Sequence, residues 1–454
     1  MKINIKYLLK GIARALALTV SLALMLAACG GGGESDGTDN SDSTVAEPDE
    51  PSMKVGFIYS GNLGNGTINK IFNDARLQLE KNLGVETCYI EGVLVSDFPN
   101  AVDKLIKEHD VTVIVSCSDF FANSCDKAAS DYTDVSFICF GGDKSYPNLT
   151  CFQPLLYQPA NICGLAAAIE QGSVGVVADH RMYNYAGVIN SYILGAKLIN
   201  QANLDVAINW ARSDSRQDTI KAIDDIVAQG HEIVMLYQST DYGIRYCEEN
   251  NIKFIAFANN LEEIAPKNYV TGFYFNVNSF ITEQVRLIQN EMFTGSVTPG
   301  ELKEGKTRVT PLNEAINDYD SVKYLTDTLY ENITRSQDDG IFKGEVKDNF
   351  GTIQIPRGVT LGSSEVLNMR WIEISALSNL KRFSEPLTEA QLVPSDLVVH
   401  GERPKTEPPA GGDSDDEPPE TDTAESSDTS VPTTAPSDAG TPDSSDAGTP
   451  DSGM

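Results

Sequence analysis

The chain has 454 residues, with 34 Lys and Arg set against 65 Asp and Glu and a formal net charge of −31 at pH 7. That length accommodates two globular lobes of ordinary size with flexible ends. The negative balance repels phosphate backbones and anionic headgroups, which argues against nucleic acid as a partner.

Residues 1–28 place Lys2, Lys6, Lys10 and Arg14 around and ahead of an apolar run at 12–26. The run is shorter than the roughly 20 residues of a spanning helix and ends in small residues, the pattern of a cleaved secretory signal. Leu26-Ala27-Ala28-Cys29 resembles the lipobox of bacterial lipoproteins. That likeness implies cleavage before Cys29, a lipid on its sulfur, and attachment to the outer face of the cell membrane. Residues 29–52 and 402–454 are acidic and poor in apolar residues, and the second stretch repeats SDAGTPDS from Ser437 and Ser445. Neither can bury a core, so both are expected as disordered spacers around a folded region at 53–401.

The folded region opens with a strand–loop–helix unit. Residues 54–59 alternate as a half-buried strand does, and 60–66 form a Gly- and Asn-rich loop. From Thr67, the residues Ile68, Ile71, Phe72, Ala75, Leu79 and Leu83 recur at helical spacing until Gly84. Strand and helix signals then alternate: strands at 86–90, 111–117 and 135–140, helices at 98–108, 122–132 and 161–171. After Gly172 the pattern restarts, with strands at 174–178, 206–210, 233–237 and 253–258 and helices at 186–200, 217–229 and 241–250. Continuous apolar strands separated by amphipathic helices predict an α/β fold of two doubly wound parallel-sheet lobes. The lobes are expected at about 53–171 and 172–275, with later segments shared between them. Ligands of such sheets sit beyond the carboxyl ends of the strands, which here means a cleft between the lobes.

Beyond Cys29, seven cysteines remain: Cys88, Cys117, Cys125, Cys139, Cys151, Cys163 and Cys247. Their odd number and the lack of any CxxC pair give no zinc site, and most read as small buried core residues. A disulfide is open to an exported chain, with its pairing unassigned. Four His are scattered, and no Gly-x-Ser-x-Gly, Walker loop or HExxH occurs, so neither catalysis nor a cofactor is expected.

Polar and aromatic residues do gather at the predicted strand ends: Asn62, Asn65, Thr67 and Asn69, then Asp119 and Phe120, Arg181 and Tyr183, Trp210, Ser239 and Asp241, and Asn259. Amides and carboxylates read heteroatom edges, and aromatic faces stack on planar rings. Each residue alone is also explained by a turn or a helix cap, Thr67, Asp119 and Thr240 above all. Their coincidence at one edge favours a binding cleft.

Several segments resemble the basic membrane protein family of ABC-transporter solute receptors, with its Med-like branch and purine nucleoside receptor lipoproteins. Gly64-Asn65-Gly66-Thr67-Ile68-Asn69 is similar to the family's Asn-Asp-Gly-Ser-Trp/Phe-Asn, and residues 157–164, YQPANICG, to its Tyr-Gln-x-x-Tyr-Leu-x-Gly. Residues 174–178 with Gly187-Val188-Ile189-Asn190 and Leu194-Gly195-Ala196-Lys197 resemble its strand, helix and Gly-Ala-Lys/Arg stretch. Gln229-Gly230 resembles its Gln-Gly-Ala-Asp turn, and residues 341–351, IFKGEVKDNFG, with Met369-Arg370-Trp371, its closing segments. The likeness implies a type I periplasmic-binding fold that closes by hinge motion on a nucleoside or purine, and an ABC permease as partner. A sensor that reports its ligand to a membrane partner is the alternative. Asn65 stands where the family has an acid, Ile68 where it has a stacking aromatic, Asp214 where it has Trp, and Ala258 where it has an acid. Stacking therefore falls to Phe120, Tyr183, Trp210 or Phe273.

Overall fold

The computed structural model describes residues 53–64, 66–171, 173–199, 204–373, 397 and 399–401. The expected signal, Cys29 with its expected lipid, both expected acidic spacers and Asn65 lie outside the described residues.

The first sheet takes β1 (Lys54–Ile58), β2 (Glu86–Ile90), β3 (Val113–Ser116), β4 (Ser136–Phe140) and β5 (Leu149–Pro154), connected in part by α1 (Thr67–Leu83), α2 (Phe98–His109) and α3 (Ala122–Asp131). The strands are parallel, in the order β11-β5-β4-β3-β1-β2, where β11 (Val297–Gly300) returns from later in the chain. All four residues of β3 are buried, as expected of an inner strand covered by helices on both faces.

Helix α4 (Tyr157–Gln171) leads into the second sheet, made of β6 (Ser173–Ala178), β7 (Asp205–Trp210), β8 (Ile233–Tyr237), β9 (Lys253–Phe257), β10 (Tyr269–Phe275) and β12 (Thr307–Thr310). Its order is β12-β10-β9-β8-β6-β7, and only the edge strand β12 runs antiparallel. Around it lie α5 (Tyr185–Lys197), α6 (Arg216–Ala228), α7 (Tyr242–Glu249) and the short α8 (Leu261–Ile264), while α9 (Asn278–Gln289) goes back to pack on α1 of the first lobe. Helix α10 (Tyr319–Arg335) covers α4. The chain then makes a hairpin of β13 (Val346–Lys347) and β14 (Ile353–Ile355) and the single-turn α11 (Ser363–Leu367). After α11 the chain straps itself to α5: Asn190 donates to the Trp371 carbonyl at 2.8 Å and accepts from the Glu373 amide at 2.8 Å.

The restart near Gly172 is not where the chain changes lobes. Helix α4 packs on α5, β10 and β12, so the first crossing falls at residues 155–156, one helix earlier than the apolar pattern indicates. Helix α4 is buried nearly all round, and a helix without a polar face carries no sign of which sheet it serves. The chain crosses twice more, at 276–277 and at 301–306. The crossings are bonded to one another: Leu155 N–H to Gly300 O at 2.9 Å, Asn276 N–H to Lys306 O at 2.7 Å, and Leu302 N–H to the Gln158 side chain at 2.8 Å. Three short, mutually tied strands of chain between two rigid sheets make a hinge.

Helices α4 and α5 touch backbone to backbone. A β-carbon on Gly195 would stand 1.9 Å from the Asn161 carbonyl oxygen, and one on Gly164 1.9 Å from that of Tyr192. Gly195→Ala must push the helices apart, and overpacking of that kind costs about 1–3 kcal/mol. Urea unfolding should show the midpoint lowered; an unchanged midpoint would mean that the pair is looser than drawn.

Candidate functional site

The carboxyl ends of the two sheets face each other, and the loops there touch directly. Gly66 pairs with Thr240 in an isolated antiparallel bridge, the Thr67 amide donates to the Ser239 carbonyl at 2.8 Å, and the Thr67 hydroxyl donates to the Gln238 carbonyl at 3.2 Å. The first N–H of α1 is thus satisfied from the opposite lobe. Thr67 is the first residue of its helix and not its cap; Gly66 holds that position without a side-chain bond. Farther along α1, Asp74 accepts from the Asn259 side-chain Nδ2 at 3.1 Å, a second tie across the cleft.

The second lobe's side of this contact is built on Asp179, which is 2 % exposed. Its carboxylate accepts from Arg181 Nε at 3.0 Å, from Arg181 Nη2 at 2.6 Å and from the Ser213 amide at 2.6 Å. Burial alone would raise this carboxyl, but the Arg181 guanidinium and the Ser213 N–H together hold it below the ordinary carboxylate range. Ser213 in turn accepts from the Ser239 amide at 3.0 Å and from the Thr240 hydroxyl at 2.6 Å. A run of hydrogen bonds therefore connects Asp179, Ser213, Ser239 and Thr67. Arg181 is committed to this framework and to Asp214 at 3.3 Å, the position where a Trp was expected.

Asp119 stands opposite. The 3₁₀ turn that it opens is capped by Ser118, whose hydroxyl accepts from the Phe120 amide at 3.3 Å, so the Asp119 carboxylate is not the cap. Burial pushes the Asp119 carboxyl up to about 7, more than its own and the Phe120 backbone N–H offset. The Asp119 charge in turn adds to burial in raising the phenols of Tyr183 and Tyr237. Gly141, with φ 78°, lets these groups meet, since a β-carbon there would lie 2.5 Å from Asp119 Cβ and 3.3 Å from Tyr183 Cε2. Asp119 and Gly141 belong to the first lobe and Tyr183 to the second.

Tyr183 belongs to an aromatic cluster drawn from both lobes. Phe140 of β4 sits 5.2 Å from Tyr183 and 4.9 Å from Phe275 of β10, and Phe72 of α1 sits 5.4 Å from Phe140 and 5.6 Å from Phe275. Phe275 is the ring that meets the first lobe. Phe273, two residues earlier and fully buried, packs deeper, against Tyr237 and Phe257. It lies one layer of the strand away from the interlobe contact.

The remaining expected residues are placed as follows. Asn69 is buried and donates to the Asn62 carbonyl at 3.3 Å within the exposed first turn. Phe120 is 47 % exposed beside the cleft, and Trp210 meets Tyr185 edge-on at 5.7 Å. Asp241 is engaged by Arg245 at 2.7 Å. Phe72, Asp74, Phe140, Ser213 and Phe275 were not singled out from the sequence, because each also fits a core, a helix surface or a turn. Among the described residues no group of three or more His, Cys, Asp or Glu is arranged to hold a metal, and no helix is long and apolar enough to cross a membrane.

Comparison with known proteins agrees with this fold. A solved ABC transporter solute-binding protein from Aeropyrum pernix matches with a TM-score of 0.56 at 14 % identity, over 62 % of this chain and 91 % of that one. One from Conexibacter woesei gives 0.53 at 16 % identity, over 62 % and 95 %. A transcriptional activator of the comK gene from Bacillus halodurans gives 0.54 at 15 %, over 62 % and 98 %. At these identities the likeness speaks for the fold alone. A Haloferax volcanii protein, provisionally named ABC transporter glucose-binding protein TsgA13, is 20 % identical over 246 residues, 52 % of this chain. The match spans 62 % of that relative's length. Residues 52–338 match the PnrA-like family of ABC transporter substrate-binding proteins, and the chain belongs to that family.

Proposed function

We propose that the protein is the receptor of an ABC importer, held at the outer face of the membrane by a lipid on Cys29. In this reading it captures a small planar solute of the nucleoside or purine kind between its lobes and delivers it to the permease. Family membership supports the receptor role and the extracytoplasmic setting. The single observation that carries the ligand class is Asp119: burial pushes its carboxyl up to about 7, and it lies beside Gly141, next to Tyr183 of the other lobe, whose ring packs near Phe140. Such a group accepts from a ring N–H when ionised and donates to a ring nitrogen when protonated, while the aromatic faces favour a flat partner. Binding proceeds by hinge opening, entry and closure, with the bonds from Thr67 to Ser239 and from Asn259 to Asp74 re-formed on closing.

Thermal melting of the mature chain against nucleosides, free purines and pyrimidines, sugars and amino acids tests this. A ligand that binds only the folded state adds about 2.7 kcal/mol at a hundredfold excess over its Kd. A raised melting temperature with nucleosides or purines is expected. A rise with sugars alone would replace the nucleoside by a sugar, and no rise with any class would remove the ligand assignment.

A further inference from the structure

Cys139 and Cys151 face each other in exact register on the parallel strands β4 and β5. Neighbouring strands lie about 4.8 Å apart, which puts the two α-carbons inside the roughly 4.4–6.8 Å span of a disulfide. Residues opposed in this way point to the same face of a sheet, and both belong to the same buried cluster as Cys125 of α3. The two sulfurs converge on Gly142: a β-carbon there would lie 3.2 Å from Cys139 Sγ and 2.6 Å from Cys151 Sγ. In this structure Cys125, Cys139 and Cys151 carry free thiols.

We propose that Cys139 and Cys151 are a disulfide site of the exported protein, closing the turn that carries Gly141 and Gly142. The cross-link would brace the wall against which Asp119 rests. Proteins of this family work outside the cytoplasmic membrane, where disulfides form and persist. In the folded chain the Cys125 thiol raises that of Cys139, and the Cys139 thiol raises that of Cys151, with burial adding to both. They are held in the unreactive neutral form, so the link closes during folding, before α3 covers the strands. The oxidant is a small or protein disulfide. The Cys139 thiolate attacks one of its sulfurs and expels a thiolate; the Cys151 thiolate then attacks Cys139 Sγ and expels the second. Two protons leave the protein thiols, and the two electrons reside on the reduced oxidant.

The test is to refold the full chain in a buffer of reduced and oxidised glutathione, denature it with an alkylating maleimide, and map the peptides by mass spectrometry. The expected result is a linked Cys139–Cys151 peptide, with both residues alkylated only after reduction, and a melting temperature about 3–6 °C higher in the linked form. Cys125→Ala should leave the link in place. Full alkylation of Cys139 and Cys151 without reductant, or a Cys125–Cys139 link in the unaltered chain, would overturn the assignment.

Discussion

Asp119→Asn should weaken nucleoside or purine binding at least tenfold while leaving the fold intact. A hydrogen bond to a charged group is worth about 1.5–3 kcal/mol, and the amide keeps the shape without the charge. The same substitution should alter pH dependence in a defined direction. The Asp119 carboxyl titrates near 7 in the folded chain and near 3.8 when unfolded. Between those values the native state holds a proton that the unfolded state has lost, so this group's contribution lowers stability as pH rises from about 4 to 7 and is flat above. The variant lacks that slope, and its melting temperature should exceed that of the unaltered protein at pH 8 by more than at pH 5. Ligand affinity through the ionised form should increase as pH passes upward through about 7. Parallel melting curves at both pH values would show that Asp119 is solvated like a surface carboxylate.

Phe275→Ala should be strongly destabilising and should loosen the contact between the lobes. The ring is fully buried and touches Phe72, Phe140 and Phe152 of the first lobe and Phe257 of its own. Removing such a side chain costs about 3–5 kcal/mol, partly as lost burial and partly as an unfilled cavity. Denaturant unfolding should show that loss. Phe273→Ala should destabilise comparably but leave the interlobe contact in place, so small-angle scattering should report a more open shape only for the Phe275 variant. Identical scattering for both would mean that the interlobe rings do not hold the lobes together.

The two-lobe α/β architecture was legible because inner strands such as β3 and β8 are continuous apolar runs between helices of helical period. The crossings were not. Helix α4 is buried nearly all round, and β5 contains Thr150, Gln153 and Pro154, a weak strand signal rescued by pairing on both edges. The cleft was legible as a position, at the strand ends, because topology dictates it. Its members were harder to read. Arg181 and Asp241 carry the right chemistry but are spent on the nearby Asp179 and on Arg245 four residues on. Phe72, Phe140 and Phe275 look like ordinary core residues and become interlobe rings only when the hinge brings the two sheets together. Asp119 was visible as a residue at a strand end; its raised pKa comes from burial in the folded chain, where Gly141 and Tyr183, 22 and 64 positions away, lie close to it.

The central claim is that the interlobe cleft, read by Asp119, binds a flat solute with hydrogen-bonding edges. Isothermal titration of the mature protein with a series of purine nucleosides and free bases, run beside the Asp119→Asn variant, tests it most directly. The account predicts saturable one-to-one binding by the unaltered protein and at least a tenfold loss in the variant, whose melting remains cooperative. Binding of equal strength to both proteins, or no binding of any nucleoside or base by either, would contradict it.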